Sequence, residues 1–418
     1  MFFKKRFMIL GLACTLAVPA AGASAEGFAI NEWSAEGVAM GGARMFAEND
    51  AANIAYNPAS ITKVKGEAFK QSAVYISPHG KYEADKKSGG VEKGKNVVHA
   101  GWAPGNYYVK QLNDKDWIGV GLFSRFGMIS EFERDSVVAY NAFFSRLNGA
   151  SLTPTYARKF DNKWSAAVGA EVNYVGLELQ KNINGAGLHS VLGNIATQTK
   201  GESWALGWNA AANYAFDDKN EIGLVYRSKV THTMDADFKA YGIPSALGGD
   251  HFTKAHGKVT LPDSWAIGYN HKFNDRTRVE LNGTYTKWST YDALNIDFDD
   301  AFLGQSGSYS QKNWSNGWRY AIGAEHKLSD KYTIMGGYAY DESAIPFDGA
   351  DFIVPTGARR TYSLGFQYHD KKQTLGVTLG LIDIDGLRIK GHATDGYSEA
   401  RTYDNYAKVI GISYQRNF

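Results

Sequence analysis

Several residue sets in this sequence could do chemistry. His79, His99, His251 and His256, with many serines and carboxylates, supply the parts of a hydrolytic triad. A triad needs nucleophile, base and orienting acid to meet in space, and no spacing here marks such a set. Asp297, Asp299 and Asp300 crowd three carboxylates together, but the glycine and distant glutamate of a calcium loop are missing. Asp383-Ile384-Asp385-Gly386 reads as a strand-to-loop turn. No glycine-rich loop opens a helix after a strand, so nucleotide chemistry has no support. The single cysteine is Cys14. No enzyme activity, cofactor or metal is therefore expected, and function must come from surfaces and cavities.

Composition says what kind of surfaces. The chain has 418 residues, 44% apolar and 21% charged, which is too hydrophobic for a disordered protein. Length alone suggests two or three domains, with one large all-β unit as the known exception. Lys4, Lys5 and Arg6 are three of the 45 basic residues; without them 42 face 43 acidic ones. No basic surplus remains to hold a phosphate backbone, which argues against nucleic acid. With 46 glycines, 25 tyrosines and only 9 prolines, the chain favours sheet.

Residues 1–25 read as a secretory signal peptide. Lys4-Lys5-Arg6 is the charged start, Phe7 to Val18 the apolar stretch, and Ala23-Ser24-Ala25 the cleavage site. Cleavage there starts the mature chain at Glu26 and removes Cys14, leaving no thiol or disulfide. An exported chain without cysteine suits the bacterial envelope.

Beyond Ala25 no run of about 18 apolar residues spans a bilayer as a helix. The mean hydropathy of −0.35 looks soluble, yet a β-barrel hides its membrane signal in alternate residues. Period two recurs along the chain. Trp204, Leu206, Trp208, Ala210, Ala212, Tyr214 and Phe216 share one face; Ser203, Ala205, Gly207, Asn209, Ala211 and Asn213 share the other. Val279, Leu281 and Tyr285 oppose Glu280, Asn282, Thr284 and Thr286. Small polar residues and charges such as Glu171 and Glu280 cannot fill a dry core between two sheets. They suit the interior of a wide barrel.

Short charged turns separate these segments: Asn113–Asp116, Asp161–Lys163, Asp217–Asn220, Asn274–Arg276, Ser329–Lys331 and Asp370–Lys372. Longer polar loops are expected over 78–96, 127–148, 181–202, 231–258, 289–315, 341–358 and 383–405. Six short turns and seven long loops, with both ends on the short-turn side, predict a 14-stranded antiparallel transmembrane β-barrel over 66–418. The terminal Phe418 resembles the recognition signal by which assembly machinery receives outer-membrane barrels.

Residues 26–65 do not alternate, and Asn57-Pro58-Ala59 forbids a regular strand. This stretch is expected to fold into the barrel as a luminal plug. Gly27-Phe28-Ala29-Ile30-Asn31-Glu32-Trp33-Ser34, Gly41-Gly42-Ala43 and Asn57-Pro58-Ala59-Ser60 resemble the N-terminal hatch of the FadL-type long-chain fatty acid transporters. The resemblance continues through Ser124-Arg125-Phe126-Gly127-Met128, Leu261-Pro262-Asp263-Ser264-Trp265, Tyr285-Thr286-Lys287-Trp288-Ser289, Trp318-Arg319-Tyr320 and Asp341-Glu342-Ser343. It implies a monomeric outer-membrane barrel, set among lipid and lipopolysaccharide, that moves hydrophobic molecules inward.

The resemblance also implies residue roles. Asn57, Pro58 and Ala59 match the hatch motif tied to channel opening. Phe28 matches an aromatic lining the ligand pocket. Ser124 and Gly127 fall where the third strand kinks and opens the wall, and glycine at 127 would ease the backbone geometry. Lys181 stands where a basic residue meets the fatty carboxylate. Ser315 occupies the place of a second basic residue, which Lys312 or Arg319 could replace. An aromatic hydrocarbon would need no such cation. A general porin, structural barrel or barrel enzyme are the remaining readings.

Overall fold

The computed structural model describes residues 27–97, 100–183 and 195–418. The signal-peptide reading over 1–25 and His99 lie outside them. Fourteen strands form one antiparallel ring. In order they are Glu67–Lys86; Gly101–Gln111, preceded by the short Val91–Lys95; Asp116–Phe123 with Gly127–Glu131; Phe144–Lys159; Trp164–Ile183; Ile195–Ala215; and Asn220–Arg227 with Val230–Tyr241. Then follow His251–Leu261 with Ser264–Lys272; Thr277–Thr286 with Ala293–Phe302; Gln305–Gln311 with Gly317–Lys327; Tyr332–Asp341; Arg359–His369; Gln373–Ile384 with Arg388–Lys390; and Tyr397–Asn417. The first strand pairs with the last from Ala68↔Asn417 to Lys86↔Tyr397, so the ring closes. Closure leaves no sheet edge for lipid to satisfy.

Alternation sets the two faces. Leu206 and Leu364 point outward at 77% and 71% exposure, while Glu171 and Glu280 on the opposite face are fully buried. Outward aromatics meet in tilted pairs across strands. Trp208, Tyr226 and Trp265 form a row at 4.9 and 4.5 Å, and Trp164–Tyr214 lies nearer the short turns at 4.7 Å. Such amphipathic rings anchor a barrel at the headgroup level.

The short turns share one chemistry. Oδ1 of Asp161, Asp217, Asn274 and Asp370 each accepts backbone N–H bonds from the residues two and three positions on, at 2.7–2.9 Å. The long-loop expectation needs correction. Much of 78–96, 231–258 and 383–405 is strand, including Val230–Tyr241 paired with His251–Leu261. Polar composition suggests loop, but the period of two persists there, and antiparallel pairing needs only the backbone.

Residues 28–64 run among inward-facing side chains. Ser34 caps the helix Ala35–Ala39 by accepting from Gly37 N at 3.0 Å. Gly41 and Gly42 turn the chain with φ of 62° and 84°. A Cβ on Gly41 would meet the Tyr338 backbone at 2.9 Å, so glycine is needed there twice over. A buried ionic chain then ties this segment to the ring. Lys70 joins Glu36 at 2.7 Å and Asp50 at 2.9 Å; Arg44 joins Asp50 at 3.0 Å and Glu325 at 3.1 Å; Arg278 joins Glu325 at 3.0 Å and Glu280 at 2.9 Å. At the exposed end, burial pushes the Glu48 carboxyl up, but Lys63 and Lys272 outweigh it and hold it at about 2.

Candidate functional site

The third strand is broken. Its lower part, Asp116–Phe123, pairs with the second strand as far as Asn106↔Leu122. Its upper part, Gly127–Glu131, pairs with the fourth strand and, among the described residues, with no other strand. Between them the chain turns inward at Ser124–Phe126. The second strand from Gly101 to Gly105 therefore lacks a strand partner on that side, among the described residues.

The N-terminal segment fills this break. Ile30 N donates to Arg125 O at 2.8 Å, Gly127 N to Phe28 O at 2.9 Å, and Trp33 Nε1 to Ser124 O at 2.8 Å. Ser124 Oγ donates to Gly149 O at 2.5 Å. Gly127 is not in the left-handed region, so the kink does not use the freedom expected of it. The close approach falls on Gly149 instead, where a Cβ would stand 2.3 Å from Phe126 O. One glycine among 46 carries no sequence signal for this role.

Phe28 is 2% exposed and sits in an aromatic cluster. Its ring centroid is 4.8 Å from Trp288, 5.4 Å from Tyr291, 5.8 Å from Trp314 and 6.0 Å from Phe126. The cluster continues toward the long-loop end through Met234, Phe238, Ile345, Phe352 and Tyr397. Phe352 comes from the loop after the eleventh strand, and that loop reaches the far wall. Ser145 Oγ donates to Ile353 O at 2.7 Å, and Phe352 N donates to Asn141 Oδ1 at 2.8 Å.

Lys181 shares a strand face with Leu177 and Leu179, which pack on this cluster, and it stays exposed. Asp395 and Lys312 are the charges that face it. Burial pushes the Asp395 carboxyl up. Lys312 is buried and paired with Asp351. Arg319 pairs with Asp341 at 2.8 Å and donates to Gly41 O at 2.6 Å. Both alternatives for the second cation thus already hold a carboxylate, and Ser315 N donates to Ala344 O at 2.9 Å.

Asn57 is fully buried. Its Oδ1 accepts from Ala59 N at 3.1 Å, and its Nδ2 donates to Asn213 Oδ1 on the sixth strand at 2.6 Å. Pro58 opens the 3-10 turn Pro58–Lys63, a place where its missing N–H costs nothing. Asn213 Nδ2 in turn donates to Ser60 Oγ at 2.9 Å. Asn57 and Ser60 thus both hold to one wall residue, Asn213.

Among the described residues, His79, His251 and His256 are not brought together as a triad. His79 stacks on Tyr406 at 4.8 Å, His251 on Phe302 at 5.2 Å, and His256 lies between Asp235 and Asp299 at 2.9 and 3.0 Å.

Residues 16–418 match the family model described as outer membrane protein transport protein (OMPP1/FadL/TodX). The long-chain fatty acid transport protein of Escherichia coli K12 is 26% identical, across 93% of this chain and 94% of the relative. Outer membrane protein P1 of Haemophilus influenzae Rd is 28% identical, across 92% and 91%. Among solved structures, a Pseudomonas aeruginosa FadL homologue superposes with TM-score 0.84 at 18% identity, covering 94% of this chain and 100% of that one. The Pseudomonas putida toluene transporter TodX gives TM-score 0.70 at 18% identity, covering 94% and 99%.

Proposed function

The chain belongs to the OMPP1/FadL/TodX family of outer membrane transport proteins, and from that premise we propose that it carries long-chain fatty acids or similar amphiphiles inward across the outer membrane. The observation that carries the reading is the broken third strand, whose gap is filled by the chain's own residues 28–33. A ligand enters from the long-loop end and occupies the aromatic chamber around Phe28. Burial there is worth about 0.8 kcal/mol per CH₂, so affinity grows with chain length. Lys181 meets the carboxylate and adds a charge-assisted bond.

Residues 26–65 act as the hatch. A chain that packs against Trp288 and Phe126 competes with Phe28 for the same surface. It thereby favours a second position of residues 28–33, in which their three bonds to the kink are released. Asn57, Pro58 and Ala59 hold the rest of the hatch to the wall. The freed gap beside Ser124 and Gly127 opens sideways into the membrane, and movement is passive. This is a shift between two states that differ in ligand affinity. An aromatic hydrocarbon is the second reading, favoured because Lys312 and Arg319 are already paired with Asp351 and Asp341.

Lipids extracted from protein purified out of native membranes test the substrate class. Fatty acid enriched over a refolded control supports the first reading. Enriched hydrocarbon supports the second. A steady large single-channel conductance instead would make the barrel a general porin.

A further inference from the structure

Next to Phe126 a cavity of about 70 Å³ is lined by Arg125, Arg227 and Arg319. Arg125 Nη1 donates to Glu171 Oε2 at 2.6 Å, and Arg227 Nη1 to Glu171 Oε1 at 2.5 Å. The two arginine side chains are each 4% exposed, and that of Glu171 is fully buried. Arg227 Nη2 also donates to Ile54 O and Ala55 O at 3.1 and 2.7 Å. Arg125, among the described residues, is bonded to a carboxylate through Nη1 alone.

Around Glu171 the charges do not cancel. Arg319 faces Asp341, and Glu32 lies in the fields of Arg359 and Arg319. In the cavity wall two guanidiniums, Arg125 and Arg227, share the single carboxylate of Glu171. An uncompensated buried charge is costly unless a counter-charge is supplied. The ionic chain nearer the short turns has the opposite balance, with Glu36, Asp50, Glu280 and Glu325 against Lys70, Arg44 and Arg278. It borders a separate cavity of about 330 Å³ lined by Ser329 and Asp330 of a short turn.

We propose that the arginine-lined cavity is an anion station, taking the single negative charge of an amphiphile's carboxylate between the aromatic chamber and the opening in the wall. This rests on the transport reading above and adds a second head-group site to it. The carboxylate completes the charge balance at Arg125 and Arg227. The net negative chain beyond then repels it, so an anion held there has the adjacent wall gap as its outlet and not the short-turn end.

The test uses detergent-solubilised full-length protein carrying Lys181→Ala, which removes the outer cation. Equilibrium affinities are measured for dodecanoate and dodecanol, chains of equal length that differ in charge. Arg125→Gln leaves the Glu171–Arg227 pair in place and brings the local balance to zero. It is expected to lower the dodecanoate-to-dodecanol affinity ratio about tenfold or more, with dodecanol affinity changing much less. Arg125→Lys should restore most of the ratio, and Glu171→Gln should raise it. A ratio unmoved by Arg125→Gln, or equal weakening of both ligands, overturns the station while leaving the transport reading intact. Binding of neither ligand by the parent protein overturns both.

Discussion

Truncating Phe28 should loosen the N-terminal segment without opening the ring. The side chain is 2% exposed and touches four other aromatic rings at 4.8–6.0 Å between centroids. Removing a buried phenylalanine costs about 3–5 kcal/mol. The fourteen strands pair without help from residue 28, so the loss falls on the local contact between 28–33 and the kink. At roughly 1.4 kcal/mol per factor of ten, the opened population of that contact should rise about a hundredfold or more. Hydrogen exchange on solubilised Phe28→Ala protein reads this directly. The amides of Ile30 and Gly127, which donate to Arg125 O and Phe28 O, should exchange faster by that factor. Amides along the seam of the first and last strands should not change. Two results would refute the reasoning: unchanged exchange at Ile30 and Gly127, or an equal rise at the seam.

Gly127→Arg should fill the wall gap, leaving a folded, protease-resistant barrel whose fatty acid uptake falls about tenfold or more; normal uptake at normal surface expression would remove the sideways route. Lys181→Ala should weaken fatty acid binding by about tenfold while barely altering hydrocarbon binding, and equal losses would deny it the head-group role. The Glu48 carboxyl, held at about 2 against an ordinary 4.5, contributes stability that is present above pH 4.5 and lost as pH falls through about 2. Thermal midpoints should accordingly be flat from pH 8 to 5 and drop below 4.5, with Glu48→Gln showing a smaller drop; a steady decline from pH 7 would contradict this.

The ring was legible because its physics is local. Lipid outside and water or polar chain inside force opposite chemistry onto alternate residues, and turns need Asp or Asn at the position where Oδ1 can accept two amides. Trp204 to Phe216 and Asp161-Asn162-Lys163 therefore announce themselves. Loop length is hidden from the sequence where polar residues keep the strand period, as in Val230–Tyr241. The site was legible only in part. Phe28, Ser124 and Asn57 stand in segments with a recognisable pattern. Gly149 does not, since its role comes from the backbone of a neighbouring strand. Nor do Arg44, Lys70 and Arg278 disclose themselves as one chain, because their carboxylate partners lie up to 281 residues away and only the closed ring brings them together.

The seam joining the two ends of the chain ties closure of the ring to the seating of its leading residues. Phe418 N donates to Glu67 O at 2.8 Å, and eighteen residue pairs above it zip the last strand to the first. Residues 28–64 precede that first strand, and their backbone amides bond to Ser72, Glu280 and Gln415, on wall strands that only the closed ring brings together. Losing the final strand would therefore remove the seam and, with Gln415, one of the holds on the leading residues.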